Sequence, residues 1–536
     1  MSGARVRDCR AAIAWPNDPL THPLERMSSG SVRSRHTSFS SKGETVFGVR
    51  RLSLWCLTVL CAASGSCSDG NSPSGVIIFE AGNQQADTAY AELTQALRVR
   101  IFGAPSGTIV RFQSLPVDTG PPRSSVYVAA PSAPFYDFLA DSTDQTGETS
   151  ARIKLGTVAG QGRLQVSVPE LDLVDTATFT ILPGRAARVL AIPADTALYA
   201  AGTFQGRAVT TDQWGNVRAD DPVVYSDGST GVTVSANGLI TATAIGRSSY
   251  VARAGTTLDT GYVSVVPRGT IAAVRLTDAF AISAIMMLQL DGSGVTALTP
   301  VTLGSLEDPN PRWSPDGSRI VYSATDGQTS RLFTVTPVGT VNRVIASPPP
   351  ELIAEVFPHF TRDGSFIYFG GRLPTTNYMN WRVAANGTGA VRISPDSNSG
   401  GIEIRAAPSP DGQRLAYQAY SYVVSGAIIR IKYFVGDTIS TWFVRGTTPR
   451  WDPVGDRFAF GHQLGGPISL VNSDGTNSHE ISPGGRDYGE SGFDWSPDGQ
   501  WIIARGPDML ELINVASGQT LPLAYSTNLV QPTWRP

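Results

Sequence analysis

Apolar and polar residues alternate in short runs between Gly75 and Pro267. Leu97, Val99 and Ile101 alternate with Arg98 and Arg100. Ile153 and Leu155 alternate with Arg152 and Lys154, and Leu164, Val166 and Val168 follow the same rule. A period of two sends one set of side chains inward and the other to water, which predicts half-buried strands. Gly, Asp and Pro punctuate the runs, and no long stretch carries the helical period. The spacing predicts two β-sandwiches, over residues 76–184 and 185–268.

From Gly269 the pattern changes. PRWSPDGSRIVYSA begins at Pro311, PHFTRDGSFIYFGG at Pro358, APSPDGQRLAYQA at Ala407, PRWDPVGDRFAFGH at Pro449 and FDWSPDGQWIIARG at Phe493, and the chain closes with PTWRP. Ser314-Pro315-Asp316-Gly317 suits a type I turn, with Pro at the position of preset φ and Gly at the left-handed one. Ile320-Val321-Tyr322 then reads as a strand buried on both faces. The anchor positions are Trp313, Phe360, Pro408, Trp451, Trp495 and Trp534, at intervals of 47, 48, 43, 44 and 39 residues. Periods of this size with four strands each predict propeller blades whose faces are covered only by their neighbours. PTWRP supplies an inner strand without partners, and residues 271–278 and 285–300 supply outer strands without an inner one. Joined, they complete a sixth blade, and ring closure removes the open edges.

Two families are resembled. TDQTGE at Thr143, TDQWGN at Thr211 and VTVSANGLITATAIGRSSYVARAG from Val232 resemble bacterial Ig-like domains of the invasin and intimin type. That resemblance implies a spacer or adhesive module. Asp144 and Asp212 read as turn residues, with a calcium ion at either as the alternative. The PxWSPDG phrase followed by an apolar strand resembles the TolB-type propeller repeat over about half the chain. Pro408 replaces the aromatic in one copy, and Val454-Gly455 replaces Asp-Gly in another. In TolB an α/β domain precedes the propeller. Here Ig-like modules stand in that place, so the resemblance carries over the propeller but not the Tol–Pal role. The fold class expected is all-β: two tandem Ig-like β-sandwiches followed by a six-bladed TolB-type β-propeller over residues 269–536.

Ahead of these modules, Arg50 and Arg51 precede an apolar run over residues 52–63, then Ser64-Gly65-Ser66-Cys67. The order is that of an export signal, and the run is short for a permanent membrane span. It resembles a bacterial lipoprotein signal, although Ser64 stands where that box carries an aliphatic residue. The resemblance implies lipidation of Cys67 and a membrane-anchored protein of the cell envelope, with an outer-membrane location and the side left open. An ordinary cleaved signal peptide is the alternative. Residues 1–67 are thus an over-extended start plus signal, and 68–75 a tether. The cysteines are Cys9, Cys56, Cys61 and Cys67, so the processed protein contains no internal disulfide.

Of 42 Lys/Arg and 45 Asp/Glu, 9 and 4 precede Cys67, which leaves the remainder at a net charge of −8. No basic stripe with interleaved aromatics occurs, which argues against nucleic acid as a partner. There is no Gly-x-Ser-x-Gly elbow, Walker loop or dinucleotide fingerprint. Beyond Cys67 the histidines are His359, His462 and His479, without zinc-site spacing. No metal, no cofactor and no enzymatic activity are expected. The residues before the anchors are Arg312, His359, Ala407, Arg450, Asp494 and Thr533. If they face a central funnel, they form a polar ring for an anionic or peptide group, with Arg312, His359, Arg450 and Asp494 as its binding residues. The alternative makes them surface or packing residues. Trp313, Trp451 and Trp495 read as packing between blades. The function expected is a monomeric, non-enzymatic envelope lipoprotein whose propeller binds a protein or peptide. The alternatives are an envelope polysaccharide lyase or hydrolase acting in the funnel, and a surface adhesin.

Overall fold

The computed structural model describes residues 75–536 apart from 118–122, 278–281, 300–308, 326–328, 346–347, 350–351, 375–376, 395–400, 421–425, 441–443, 464, 485 and 489–491. The leader and Cys67 lie outside the described residues. No helix among the described residues is long and apolar enough to cross a membrane. The protein is all-β.

The first sandwich packs two sheets. One has Val76–Ala81, Leu97–Phe102, Glu148–Leu155 and Val126–Ala129 as neighbours in that order. The other runs Ala86–Thr88, Leu173–Leu182, Gly160–Val168, Ile109–Ser114 and Phe138–Ser142. The alternation sets the core: Leu97, Val99, Ile101, Ile153, Leu155, Leu164, Val166 and Val168 are all buried in one cluster. The intervening Arg98, Arg152 and Lys154 reach solvent.

The second sandwich encloses Val189, Ala191, Ile240, Tyr250, Val263 and Val265. Its main sheet orders Asp195–Tyr199, Thr257–Val266, Gly246–Ala254 and Val224–Asp227. The two related turn phrases serve different ends. Asp144 accepts the N–H groups of Thr146 at 2.7 Å and Glu148 at 2.9 Å, which closes a local turn. Asp212 accepts from the N–H groups of Gly184 at 2.7 Å, Trp214 at 2.9 Å and Asn216 at 2.9 Å, and from the Asn216 amide at 2.7 Å. Its turn also reaches the first sandwich. Asn216 bonds Ala159 N and Thr157 O, each at 2.8 Å, and Trp214 packs against the first core. Both carboxylates are therefore taken up by turn N–H groups.

Among the described residues, the strands beyond Gly269 form six sheets. Five follow one scheme, as in Arg312–Trp313, Ile320–Thr325, Ser330–Val335 and Val341–Arg343, each antiparallel to the next. Their first strands begin at Arg312, Ala354, Ile402, Thr447 and Phe493. The sixth sheet is composite: Thr296–Ala297, Ile282–Gln289, Thr270–Leu276 and, innermost, the C-terminal strand Leu529–Trp534. Ile271 pairs with Trp534, Ala272 with Thr533 and Val274 with Val530. These antiparallel sheets give this part of the chain a β-propeller fold.

The recurrent turn is held as its residues predict. Gly317 N donates to Ser314 O at 2.8 Å with Gly317 at φ +64°. The Ser314 hydroxyl donates to Asp316 at 2.5 Å, and Ser318 N donates to the same carboxylate oxygen at 3.0 Å. These hydrogen bonds hold the Asp316 carboxyl down at about 2. In the variant copy the carboxylate has moved to the first position. Asp452 accepts from Val454 N at 2.9 Å and Arg457 Nε at 2.8 Å. Between blades, Trp451 Nε1 donates to Ala407 O at 2.9 Å and Trp495 Nε1 to Arg450 O at 3.0 Å. Each of these tryptophans thus bonds the residue before the previous anchor.

The second sandwich shares a core with the propeller. Ala197 and Val266 are buried in one cluster with Ile271, Leu288, Trp501, Leu523 and Trp534. Ser264 Oγ donates to Pro522 O at 2.7 Å. The Tyr199 hydroxyl donates to Gly269 O and accepts from Leu290 N, each at 3.1 Å.

Candidate functional site

Each inner strand carries the same local irregularity. Asn310, Phe357, Arg405, Thr448 and Gln531 have φ between +42° and +56°, and Gly492 has +81°. All six stand three residues before an anchor. A β-bulge accompanies four of them, between Val356 and His359, Ile404 and Ala407, Thr447 and Arg450, and opposite Ala272 to Val274. Proline follows in Asn310-Pro311, Phe357-Pro358, Thr448-Pro449 and Gln531-Pro532. Proline has no N–H to lose from the ladder, so it suits the second place of a bulge. A left-handed Phe or Thr is strained, because Cβ crowds the backbone there. Repetition around the axis makes the irregularity a property of the repeat.

Above the bulges lies a cavity of about 310 Å³, lined from all six sheets. Arg312, His359, Arg450, Asp494 and Thr533 line it together. In the copy where Ala407 precedes the anchor, Pro408 is the lining residue instead. Trp313, Phe360, Trp451, Trp495 and Trp534 form its walls, with turn prolines Pro315, Pro410, Pro453 and Pro497 around them. The tryptophans that read as packing residues therefore do both: they are 5–7% exposed, and what remains exposed faces the cavity.

The electrostatics are unbalanced. Arg312 and Arg450 are each only 5% exposed. Asp494 Oδ2 lies 3.6 Å from Arg312 Nη1 and accepts from Thr533 Oγ1 at 2.7 Å and Trp534 N at 3.0 Å. Arg450 Nη1 donates to Pro449 O at 2.8 Å. Arg312 Nε and Nη1 and Arg450 Nε are buried without a hydrogen-bond partner. Burial works against the charged form of both guanidiniums. Asp494 opposes that effect, and each arginine suffers the like charge of Arg405. Arg405 stands at the bulge level, bonded to Thr448 Oγ1 and 4.7 Å from the centre of the Phe357 ring, with its own Nε buried and unpartnered. His359 is pushed down to about 3 by burial and then by Arg450 and Arg312, so it is neutral. Its Nδ1 lies 2.8 Å from Phe360 O and donates to it, which makes Nε2 an acceptor.

Arg405 and the bulge ring were missed in the residue pattern. The signal for the ring was the proline opening four of the anchor phrases, which marks the residue before it; Arg405, followed by Ala406, carries no such signal.

No protein-family model matches this chain, and no curated protein matches it by sequence. Among solved structures, TolB from Acinetobacter baumannii is similar at 17% identity, over 59% of this chain and 83% of that one, with a TM-score of 0.41. A putative TolB from Agrobacterium tumefaciens is similar at 13% identity, over 51% of this chain and 100% of that one, with a TM-score of 0.36. An oligogalacturonate lyase in complex with manganese is similar at 13% identity, over 48% and 73%, with a TM-score of 0.30. The site described above rests on this chain's own strand pairing and side chains.

Proposed function

We propose that this protein is a non-enzymatic cell-envelope lipoprotein whose propeller binds a protein or peptide partner in its funnel. The observation that carries this reading is the cavity itself: five aromatic residues and four turn prolines line it together with Arg312, His359, Arg450 and Asp494. Ligand sites combine an apolar wall with a few placed polar groups in this way. In this reading the six sheets close a six-bladed ring, the sandwiches are Ig-like, and the anchor is a lipid on Cys67 of a monomeric chain. The sandwiches act as a stalk. The Asp212 turn clamps one to the other, and the shared core around Val266 and Trp501 ties the second to the propeller.

Affinity capture from envelope extract with the full chain tests it. The propeller should not be cut free at Gly269, because that would strip Ala197 and Val266 from its core. A specific partner captured by the parent chain and lost with Arg312→Ala or Arg450→Ala, both folded by circular dichroism, supports the funnel. Equal capture by all three chains would refute it.

One observation favours the enzymatic alternative. His359 lines the cavity together with Arg312 and Arg450, where the carboxylate of an acidic sugar would meet two cations. Release of unsaturated product from polygalacturonate, read by ultraviolet absorbance and abolished by His359→Gln, would establish that reading.

A further inference from the structure

The funnel floor holds more positive charge than it neutralises. Among the residues lining the cavity are the buried Arg312 and Arg450 and the exposed Arg362, which bonds Pro453 O, with Pro536 beside them and Asp494 as the acidic side chain. That carboxylate is already engaged by Thr533 and the Trp534 amide. Arg405 adds a further cation at the bulge level. Removing a guanidinium from water without an acceptor is costly, and a buried donor left unmade loses the full desolvation term. Three unpartnered guanidinium nitrogens, on Arg312 and Arg450, are held at one cavity by a ring that strains its own backbone. Unmet buried donors gathered at one place call for an explanation, and an acceptor brought by a ligand is one.

The chemistry of that ligand follows from floor and wall together. Guanidiniums are matched to a planar carboxylate, which can accept two parallel N–H bonds. The walls are indoles, Phe360 and prolines, which suit a hydrocarbon side chain rather than a hydrated ion. Arg312 and Arg450 line the same cavity as these apolar residues, so a ligand there meets cations and apolar surface together, as a chain terminus with an apolar last side chain would require. We propose that the funnel seats the C-terminal carboxylate of a partner polypeptide whose last side chain is apolar. This rests on the reading of the propeller as a protein-binding module.

The test uses the full chain and the fluorescence of its funnel tryptophans. The probes are acetyl-Ala-Leu with a free carboxylate, the same dipeptide as its C-terminal amide, inorganic phosphate and trigalacturonate. The free acid is expected to give a saturable change, and the amide to bind at least 10-fold more weakly. Arg450→Gln should weaken the acid by 10-fold or more. If that variant does not fold, the acid-against-amide comparison on the parent chain decides alone. Acid and amide binding alike, no saturation by the acid, or tighter binding of phosphate or trigalacturonate would each overturn the proposal. If the acid fails while the parent chain still captures an envelope partner, only the carboxylate is lost. If capture fails as well, the binding reading falls with it.

Discussion

Arg312 Nη1 and Asp494 Oδ2 face each other across the funnel at 3.6 Å, while the same carboxylate oxygen takes hydrogen bonds from Thr533 and the Trp534 amide. The innermost strand of the composite sheet thus competes with Arg312 for Asp494, the acidic side chain of the cavity lining.

The imbalance has a stability signature. Arg450 is desolvated and repelled by Arg312 and Arg405. Replacing it with an apolar residue of similar length removes a buried charge and keeps the volume. Arg450→Met is expected to raise unfolding stability by about 1–3 kcal/mol while abolishing anion binding. Urea denaturation measures the first and fluorescence titration the second. A destabilised variant would make the guanidinium structural.

His359 adds a pH dependence. Its folded value, about 3, lies below the ordinary 6.5, so the unfolded chain binds the proton more readily. Stability contributed by the neutral ring is complete above pH 6.5 and declines as pH falls towards 3, with a limiting slope of about 1.4 kcal/mol per pH unit. His359→Gln should flatten the stability profile between pH 6.5 and 5 relative to the parent chain, since Glu355 and Glu403, raised by burial, are common to both. An unchanged profile would place the imidazole in contact with water.

Closure depends on the C-terminal strand. Trp534 packs with Ile271, Leu288 and Trp501. Trp534→Ala should cost about 3–5 kcal/mol by the usual price of truncating a large core aromatic. Deleting residues 529–536 should expose Thr270–Leu276 as an open edge and shift the chain to oligomers in size-exclusion chromatography. A monomeric, cooperatively unfolding deletion would show that closure contributes little.

The clamp between sandwiches is tested at Asp212, whose loss strands the N–H groups of Gly184, Trp214 and Asn216. Asp212→Ala should cost about 1–3 kcal/mol and admit protease near residues 183–187. Asp144→Ala, on an exposed local turn, should leave cleavage there unchanged.

Much of the fold is legible in local pattern. The period of two places Leu97 to Ile101 and Leu164 to Val168 on core faces. The Ser-Pro-Asp-Gly turn and the spacing of Trp313, Trp451 and Trp495 mark the inner strands, and the orphan strand around Trp534 finds its partner at Ile271. These are relations a chain encodes by itself, because turn chemistry and alternation act between residues close in sequence, and a repeat multiplies them. The pattern also singled out Arg312, His359, Arg450 and Asp494, which all line one cavity.

What those residues do to one another belonged to the tertiary structure. That Asp494 is engaged by Thr533 and Trp534, that Arg405 adds its charge from a bulge, that Trp214 inserts into the neighbouring sandwich, and that Ala197 lies in the propeller's core all depend on distances between segments far apart in the chain. Spacing along the chain set which residue each blade presents. Only the pairing of the C-terminal strand with Thr270–Leu276 and the packing of the sheets brought those residues close enough for burial and Coulomb forces to act between them.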